Sequence, residues 1–286
     1  MDSIAAGIVL YNPDINRLYE NIEAVLPQVS KLYIFDNGSN NQLEINKLLK
    51  KYHGIVYLTE QKNVGIARAL NKIAVAAIDD SFDWLLTLDQ DSVVLSNIIE
   101  NYKKYLNLPR VGQLSCLYSD RNKKENIKIS SSNQLYENIK YAITSGSLIK
   151  LSALKVCGGF DESLFIDWVD MEICCALRAK QYMTYCINFV GFIHELGRPT
   201  PIRFLGFHGY TSNYPAFRYF YSARNSILTA FRYPNEEKIE IRILAQIKIL
   251  IKINLYEKNK KKKSHALIEG IKEGFKNKNQ NRAFYL

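Results

Sequence analysis

Leu85-Leu86-Thr87-Leu88-Asp89-Gln90-Asp91-Ser92 runs an apolar segment straight into two carboxylates spaced i, i+2. Alternate residues of an extended chain point the same way, so both acids face one side at the end of a buried strand. Hard divalent cations such as Mg²⁺ and Mn²⁺ take carboxylate oxygens together with substrate phosphates, and a pair so placed suits a metal held against a pyrophosphate. The plainer reading is a turn in which Asp and Ser cap a following helix.

Upstream, β-rich runs over 4–10, 32–35, 55–58 and 84–88 alternate with helical patterns over 15–26, 43–52 and 64–78. Such alternation predicts βαβ units around a parallel sheet. Three of these strands end in turn-forming residues: Tyr11-Asn12-Pro13, Asp36-Asn37-Gly38-Ser39 and Asp89-Gln90-Asp91-Ser92. Open α/β sheets bind ligands in the crevice outside the carboxyl ends of their strands, so these ends locate a candidate site. Asn63-Val64-Gly65 opens the third helix, with Asn71 inside it. A nucleotide pocket explains all of these together, whereas helix caps explain them one at a time. No Gly-x-Gly-x-x-Gly or Walker sequence is present, which removes the main support for a dehydrogenase or a P-loop enzyme.

Downstream of Val111 the pattern breaks into shorter strands, a polar stretch over 119–132, and Thr144-Ser145-Gly146-Ser147, ahead of a helix over 170–179. A glycine turn, Cys157-Gly158-Gly159-Phe160-Asp161-Glu162, precedes Asp167-Trp168-Val169-Asp170. Asp170 stands at the start of that helix, where it either caps it or takes the proton of an acceptor hydroxyl as a general base. Trp168 beside it reads on its own as a packing residue. His194 follows the strand-like run from Val190 and on its residues alone reads as a half-buried histidine. Arg198, Arg203, Arg218 and Arg224 are candidates for bidentate pairing with a diphosphate, Arg224 being preferred.

With 47% hydrophobic and 23% charged residues, the 286-residue chain can bury a large core and does not resemble a disordered polymer. Its length suits one catalytic domain plus an appendage, read as residues 1–232, with halves over 1–110 and 111–232, and a tail over 233–286. The five cysteines are odd in number and lack metal-ligand spacing, which suits reduced thiols in a cytoplasmic protein. The N-terminal segment carries Asp2 and no basic region, so it reads as a first strand rather than a signal peptide. No apolar run approaches the ~18 residues of a membrane-spanning helix.

The net charge of +10 is concentrated in the tail, where 13 Lys+Arg face 6 Asp+Glu. Residues 238–252 alternate isoleucines as a strand would, yet their length suits a helix. On a helical wheel Lys238, Arg242, Lys248 and Lys252 share one face, and Ile239, Ile243, Ile247 and Leu250 the opposite one, which favours a basic amphipathic helix. Followed by the lysines of 258–263, such a helix either makes peripheral contact with an anionic membrane or packs on the domain or in a homodimer with its lysines solvated. A nucleic-acid-binding protein fits the pI near 9.2. It fits less well the confinement of basic residues to the tail and the acidic strand ends, which repel a phosphate backbone.

In their order along the chain, these segments resemble bacterial family 2 glycosyltransferases of the GT-A fold, in particular the rhamnosyltransferase group. The resemblance spans about residues 4–230. It is carried by Tyr11-Asn12-Pro13, Asp36-Asn37-Gly38-Ser39, Asn63-Val64-Gly65 with Asn71, Asp89-Gln90-Asp91-Ser92, Gly158-Gly159-Phe160-Asp161-Glu162, Asp170, and Arg224-Asn225 after Tyr219-Phe220-Tyr221. It implies an α/β, GT-A fold with a Rossmann-like, mostly parallel sheet flanked by helices and a basic helical tail. It further implies an inverting, metal-dependent transfer, foremost of L-rhamnose from dTDP-L-rhamnose to a polysaccharide or lipid-linked glycan at the cytoplasmic face of the membrane. A UDP-hexose donor and a non-catalytic scaffold are the alternatives.

By the same resemblance Tyr11, Asn12, Asp36, Asn63, Gly65, Asp89 and Arg224 bind the nucleotide sugar, with Asp36 on the pyrimidine base. Asp89, Asp91 and His194 hold Mg²⁺ or Mn²⁺, Asp170 is the catalytic base, and Ser145, Gly146 and Trp168 lie on the acceptor side. One position departs from the pattern. The family commonly has Glu-Asp where this chain has Val169-Asp170, so the first acid is absent and the second is kept, with Asp167 and Glu172 close by in sequence.

Overall fold

The structure, a computed structural model, describes residues 2–122, 134–194, 200–204, 207–282 and 286. Arg198, the side chain of Arg203 and residues 123–132 of the polar stretch lie outside the described residues. Two compact units are present. One holds the described residues up to 162 and those of 170–194; the other holds 163–169, 200–204 and 207–282.

The first unit opens with β1 (Ile4–Leu10), α1 (Ile15–Val25), β2 (Lys31–Asn37), α2 (Gln42–Leu49), β3 (Ile55–Glu60), α3 (Ile66–Asp79) and β4 (Trp84–Asp89). It continues through β5 (Val93–Val94), α4 (Ile98–Lys103), β6 (Val111–Asp120), β7 (Tyr136–Asn138), β8 (Ser147–Lys150), α5 (Leu151–Val156), α6 (Val169–Ala179) and β9 (Met183–His194). Every residue of β1 is buried, as a strand covered on both faces requires. Asp14 caps α1 by accepting the Arg17 N–H, and Leu18, Ile22 and Val25 form its buried stripe.

The sheet runs in the order β3-β2-β1-β4-β8-β6-β9-β5, with β7 also paired to β9. The neighbours among β3, β2, β1 and β4 are parallel, as the alternation predicts. Beyond β4 the sheet is mixed rather than mostly parallel: β8 is antiparallel to β4 and β6, β9 is parallel to β6, and β5 and β7 are antiparallel to β9. This half mixes strands of 2 to 12 residues in both directions without the repeated βαβ alternation, which is why it reads only as irregular in sequence.

The second unit contains the antiparallel pair β10 (Thr200–Phe204) and β11 (Phe207–Thr211), then α7 (Ala216–Arg232), α8 (Ile239–Tyr256) and α9 (Lys260–Lys276). Tyr219, Ala223, Ile253 and Leu267 form its small core. Gly270 permits the close approach of α9 to α7, since a Cβ there would lie 2.2 Å from the Phe220 carbonyl oxygen. This unit therefore takes in α7 as well as the tail expected from residue 233.

Candidate active site

Asp89 ends β4, and the main-chain turn after it closes through the Ser92 N–H donating to the Asp89 carbonyl at 3.1 Å. Strand pairing then brings in a residue far along the chain. β5 runs antiparallel to β9 with Val93 opposite Ile193, which sets Ser92 and Asp91 beside His194 at the end of β9. His194 Nδ1 lies 2.8 Å from Ser92 Oγ and 3.6 Å from Asp91 Oδ1. Potential ligand atoms of Asp89, Asp91 and His194 all fall within 4.8 Å of one another.

A hydrogen-bonded chain braces this cluster. The Asp89 N–H donates to Ser145 Oγ at 3.1 Å, Ser145 Oγ and Ser92 Oγ are hydrogen-bonded at 2.7 Å, and Ser92 Oγ meets the imidazole. With its proton on Nδ1 the ring donates to Ser92 and presents Nε2 as a lone pair, the polarity a metal ligand needs. Gly146 holds the loop that carries Ser145 against β4, its N–H donating to the Thr87 carbonyl at 2.8 Å. It has φ +72°, and a Cβ there would meet Phe192 Cε1 at 2.2 Å. Asn21, buried in α1, donates from Nδ2 to the Asp89 carbonyl at 2.9 Å.

Burial lifts the Asp89 carboxyl to about 6; Asp91 and Asp170 push the same way, and His194 opposes them. Asp170 is the second residue of α6, and its Oδ1 accepts the Met171 N–H at 2.9 Å. A buried carboxyl whose proton affinity is raised by burial and by neighbouring carboxylates, set beside an imidazole, belongs to a donor set that fits a hard divalent cation with phosphate oxygens completing its shell.

The segments after β1, β2 and β3 carry other expected binding residues. Tyr11 exposes 47% of its surface, and its N–H donates to Gln90 Oε1 at 2.8 Å. The Asn12 N–H donates to Ser39 Oγ at 2.8 Å, and Asn12 Oδ1 accepts the Asn40 N–H at 2.7 Å. Asn63 Oδ1 accepts from the Gly65 N–H at 2.9 Å and from Asn37 Nδ2 at 3.1 Å, while Gly65, at φ +89°, makes the turn into α3.

Several expected binding residues, and Asn71, make framework contacts. Asp36 is fully buried and accepts the Ser39 N–H at 3.0 Å and the Tyr57 hydroxyl at 3.1 Å, so as placed it offers no open edge to a base. Ser145 and Gly146 support Asp89, as described above. Asn71 clamps the glycine turn: its Nδ2 donates to the Phe160 carbonyl at 2.8 Å, and its Oδ1 accepts the Phe160 N–H at 2.7 Å.

Arg224, Arg218, Asp167 and Trp168 belong to the second unit. Arg224 donates to the Ser163 carbonyl and stacks 4.9 Å from the Tyr221 ring centre. Arg218 pairs with Asp167, so that acid is already engaged, and the Arg242 guanidinium lies 5.3 Å from the Trp168 ring centre. Glu172 is fully buried.

Asn21 and Tyr57 escape a motif search, and Thr87 and Gln90 lie within the quoted motif without a role read for them. Asn21 had a signal, since it interrupts the apolar stripe Leu18, Ile22, Val25 of α1. The others are recognisable only once strand pairing is known.

Comparison with known proteins agrees with this fold. Residues 6–158 match the family model described as "Glycosyl transferase family 2". A curated relative, dTDP-rhamnosyl transferase RfbF of Shigella flexneri, is 28% identical over 212 residues, covering 68% of this chain and 70% of its own. Among solved structures, S. aureus TarS 1-349 in complex with UDP-GlcNAc superposes with a TM-score of 0.56 at 11% identity, covering 96% of this chain and 73% of that one. GalNAc-T7 with UDP, GalNAc and Mn²⁺ gives 0.58 at 12% identity, over 80% of this chain and 48% of that one. At such identities the superpositions establish the GT-A fold, and the family match establishes the rest: the chain belongs to glycosyl transferase family 2 and is a glycosyltransferase.

Proposed function

We propose that the chain is an inverting, metal-dependent transferase that moves L-rhamnose from dTDP-L-rhamnose to a polysaccharide or lipid-linked glycan on the cytoplasmic side of the membrane. The observation that carries the mechanism is the convergence of Asp89, Asp91 and His194 at one strand edge, with the charge of Asp170 acting on Asp89. The choice of rhamnose is supported by the likeness to a protein named dTDP-rhamnosyl transferase.

Asp89, Asp91 and His194 would hold Mn²⁺ or Mg²⁺, which when bound neutralises charge on the departing diphosphate. Ser92, Ser145 and Asn21 keep those groups aligned without touching substrate. Tyr11, Asn12 and Asn63 line the strand ends where the nucleoside fits. Asp170 takes the proton of the acceptor hydroxyl as its oxygen attacks the anomeric carbon. The bond from that carbon to the diphosphate oxygen breaks, dTDP leaves with the electron pair, and the anomeric configuration inverts. Substituting Asn for Asp170 removes the base while keeping the side chain's shape.

The test is turnover of a nucleotide-sugar panel, with and without Mn²⁺ or Mg²⁺, against glycan acceptors. The proposal expects metal-dependent release of dTDP from dTDP-L-rhamnose and a product of inverted configuration. Turnover of UDP-hexoses alone would overturn the donor assignment, and unchanged turnover in chelator would overturn the metal.

A further inference from the structure

The helix α8 is apolar on two opposite sides. One side packs within its own unit, where Ile249, Leu250 and Ile253 meet Tyr219, Ala223 and Leu267. On the other, Ile241, Leu244, Ile247, Ile251 and Leu255 are each 46–58% exposed. At 100° per residue these five fall within a sector of about 120° and form a ridge about 21 Å long. Single exposed apolar residues are ordinary on a protein surface, but five aligned on one helix face are not.

Charge distinguishes the possible occupants. The wheel drawn from sequence set the basic residues opposite the apolar ones; in the structure Arg242 pairs with the buried Glu237, and Ile247 joins the exposed ridge. Lys263, Lys272 and Lys276 are likewise paired with Glu257, Glu269 and Glu273. Lys248 lies within the ridge sector and Lys252 at its edge, while Lys258, Lys260, Lys261 and Lys262 follow its C-terminal end, all six without an ion pair among the described residues. Glu240 is the acid on this face. A two-fold pairing of α8 with a second copy, antiparallel along the ridge, would set Lys248 against itself, because it lies midway between 241 and 255. An anionic surface meets all of these lysines at once.

We propose that this face of α8 lies flat on an anionic lipid bilayer, its ridge entering the interfacial region and its lysines meeting the headgroups. No helix among the described residues is long and apolar enough to cross a membrane, and the proposed contact runs along the surface. The inference rests on the second unit alone and does not depend on the donor or the acceptor.

The experiment is co-sedimentation of the full chain with phosphatidylcholine vesicles, with and without phosphatidylglycerol, over a salt series. Wild type should pellet with the anionic vesicles and be released as salt rises. Leu244→Asp combined with Ile251→Asp should lower the partition constant at least roughly tenfold. Each of Lys258→Gln, Lys261→Gln and Lys262→Gln should lower it roughly fivefold. Circular dichroism and donor turnover, unchanged in these variants, would show that they fold. Wild type remaining in the supernatant with anionic vesicles would overturn the proposal. So would a wild-type dimer that the Leu244→Asp/Ile251→Asp pair dissociates while vesicle binding persists, an outcome that assigns the face to a second copy.

Discussion

Ser92 is fully buried, and its one hydroxyl joins Ser145 to His194. Replacing it by alanine leaves the three candidate metal ligands in place but frees the imidazole to turn. Groups that orient a ligand in this way typically contribute 10–100-fold to metal affinity, so Ser92→Ala should weaken Mn²⁺ binding by about that factor in a calorimetric titration, with little loss of melting temperature. Gly146→Ala acts differently, because it forces a side chain into left-handed backbone and against Phe192. It should destabilise the fold by about 2–3 kcal/mol in chemical denaturation and depress turnover through Ser145. At this scale the sequence discloses chemistry more readily than placement. Asp89 and Asp91 announce themselves by their spacing, whereas Asp36 carries the same residue type at an equivalent strand end and turns out to be buried under its own turn.

Among the elements, α7 secures the segment that leads into α6. Asn225 is fully buried, and its Nδ2 donates to the carbonyls of Leu164, Ile166 and Asp167 at 2.7–2.9 Å. Phe165, Asp167 and Trp168 in that segment all have positive φ, a conformation that persists only where surrounding contacts enforce it. Asn225→Ala leaves those carbonyls without their shared donor and should cost about 3 kcal/mol of stability, read as a lower melting temperature.

The α8–α9 turn is held by Glu257. Burial alone would raise its carboxyl; hydrogen bonds from Lys263, Thr211 and Tyr219 outweigh that and hold it below the usual carboxylate range. A depressed carboxylate stabilises above its unfolded value and loses that contribution as pH falls through its folded value. Thermal melts of wild type should therefore drop steeply below about pH 4.3. Glu257→Gln should start lower by about 3 kcal/mol, because Lys263 is left buried and unpaired, and then show a shallower fall with acid. Residues 238–252 read in sequence as either strand or helix, and the wheel's apolar face of Ile239, Ile243, Ile247 and Leu250 is not the packed one, which holds Ile249, Leu250 and Ile253, because packing against α7 and α9 decides which are covered.

For the whole molecule, local periodicity and long-range pairing divide what a sequence discloses. β1 to β4 and α1 to α3 follow from alternating strand and helix patterns, and each strand end marks the ligand edge because parallel βαβ units leave no other arrangement. The approach of His194 to Asp91 depends on β5 pairing with β9 across some hundred residues, and no local pattern encodes that register. In the proposed mechanism Asp89, Asp91 and His194 bind the donor diphosphate through a metal, while Asp170 serves the chemical step alone. Its most direct test is a calorimetric titration of dTDP with Mn²⁺ into wild type, Asp91→Ala and Asp170→Asn, each paired with a transfer assay. The account predicts that Asp91→Ala loses both nucleotide binding and transfer, and that Asp170→Asn binds dTDP as wild type does but transfers nothing. Metal-dependent binding and turnover in Asp91→Ala equal to wild type, or transfer by Asp170→Asn at the wild-type rate, would contradict it.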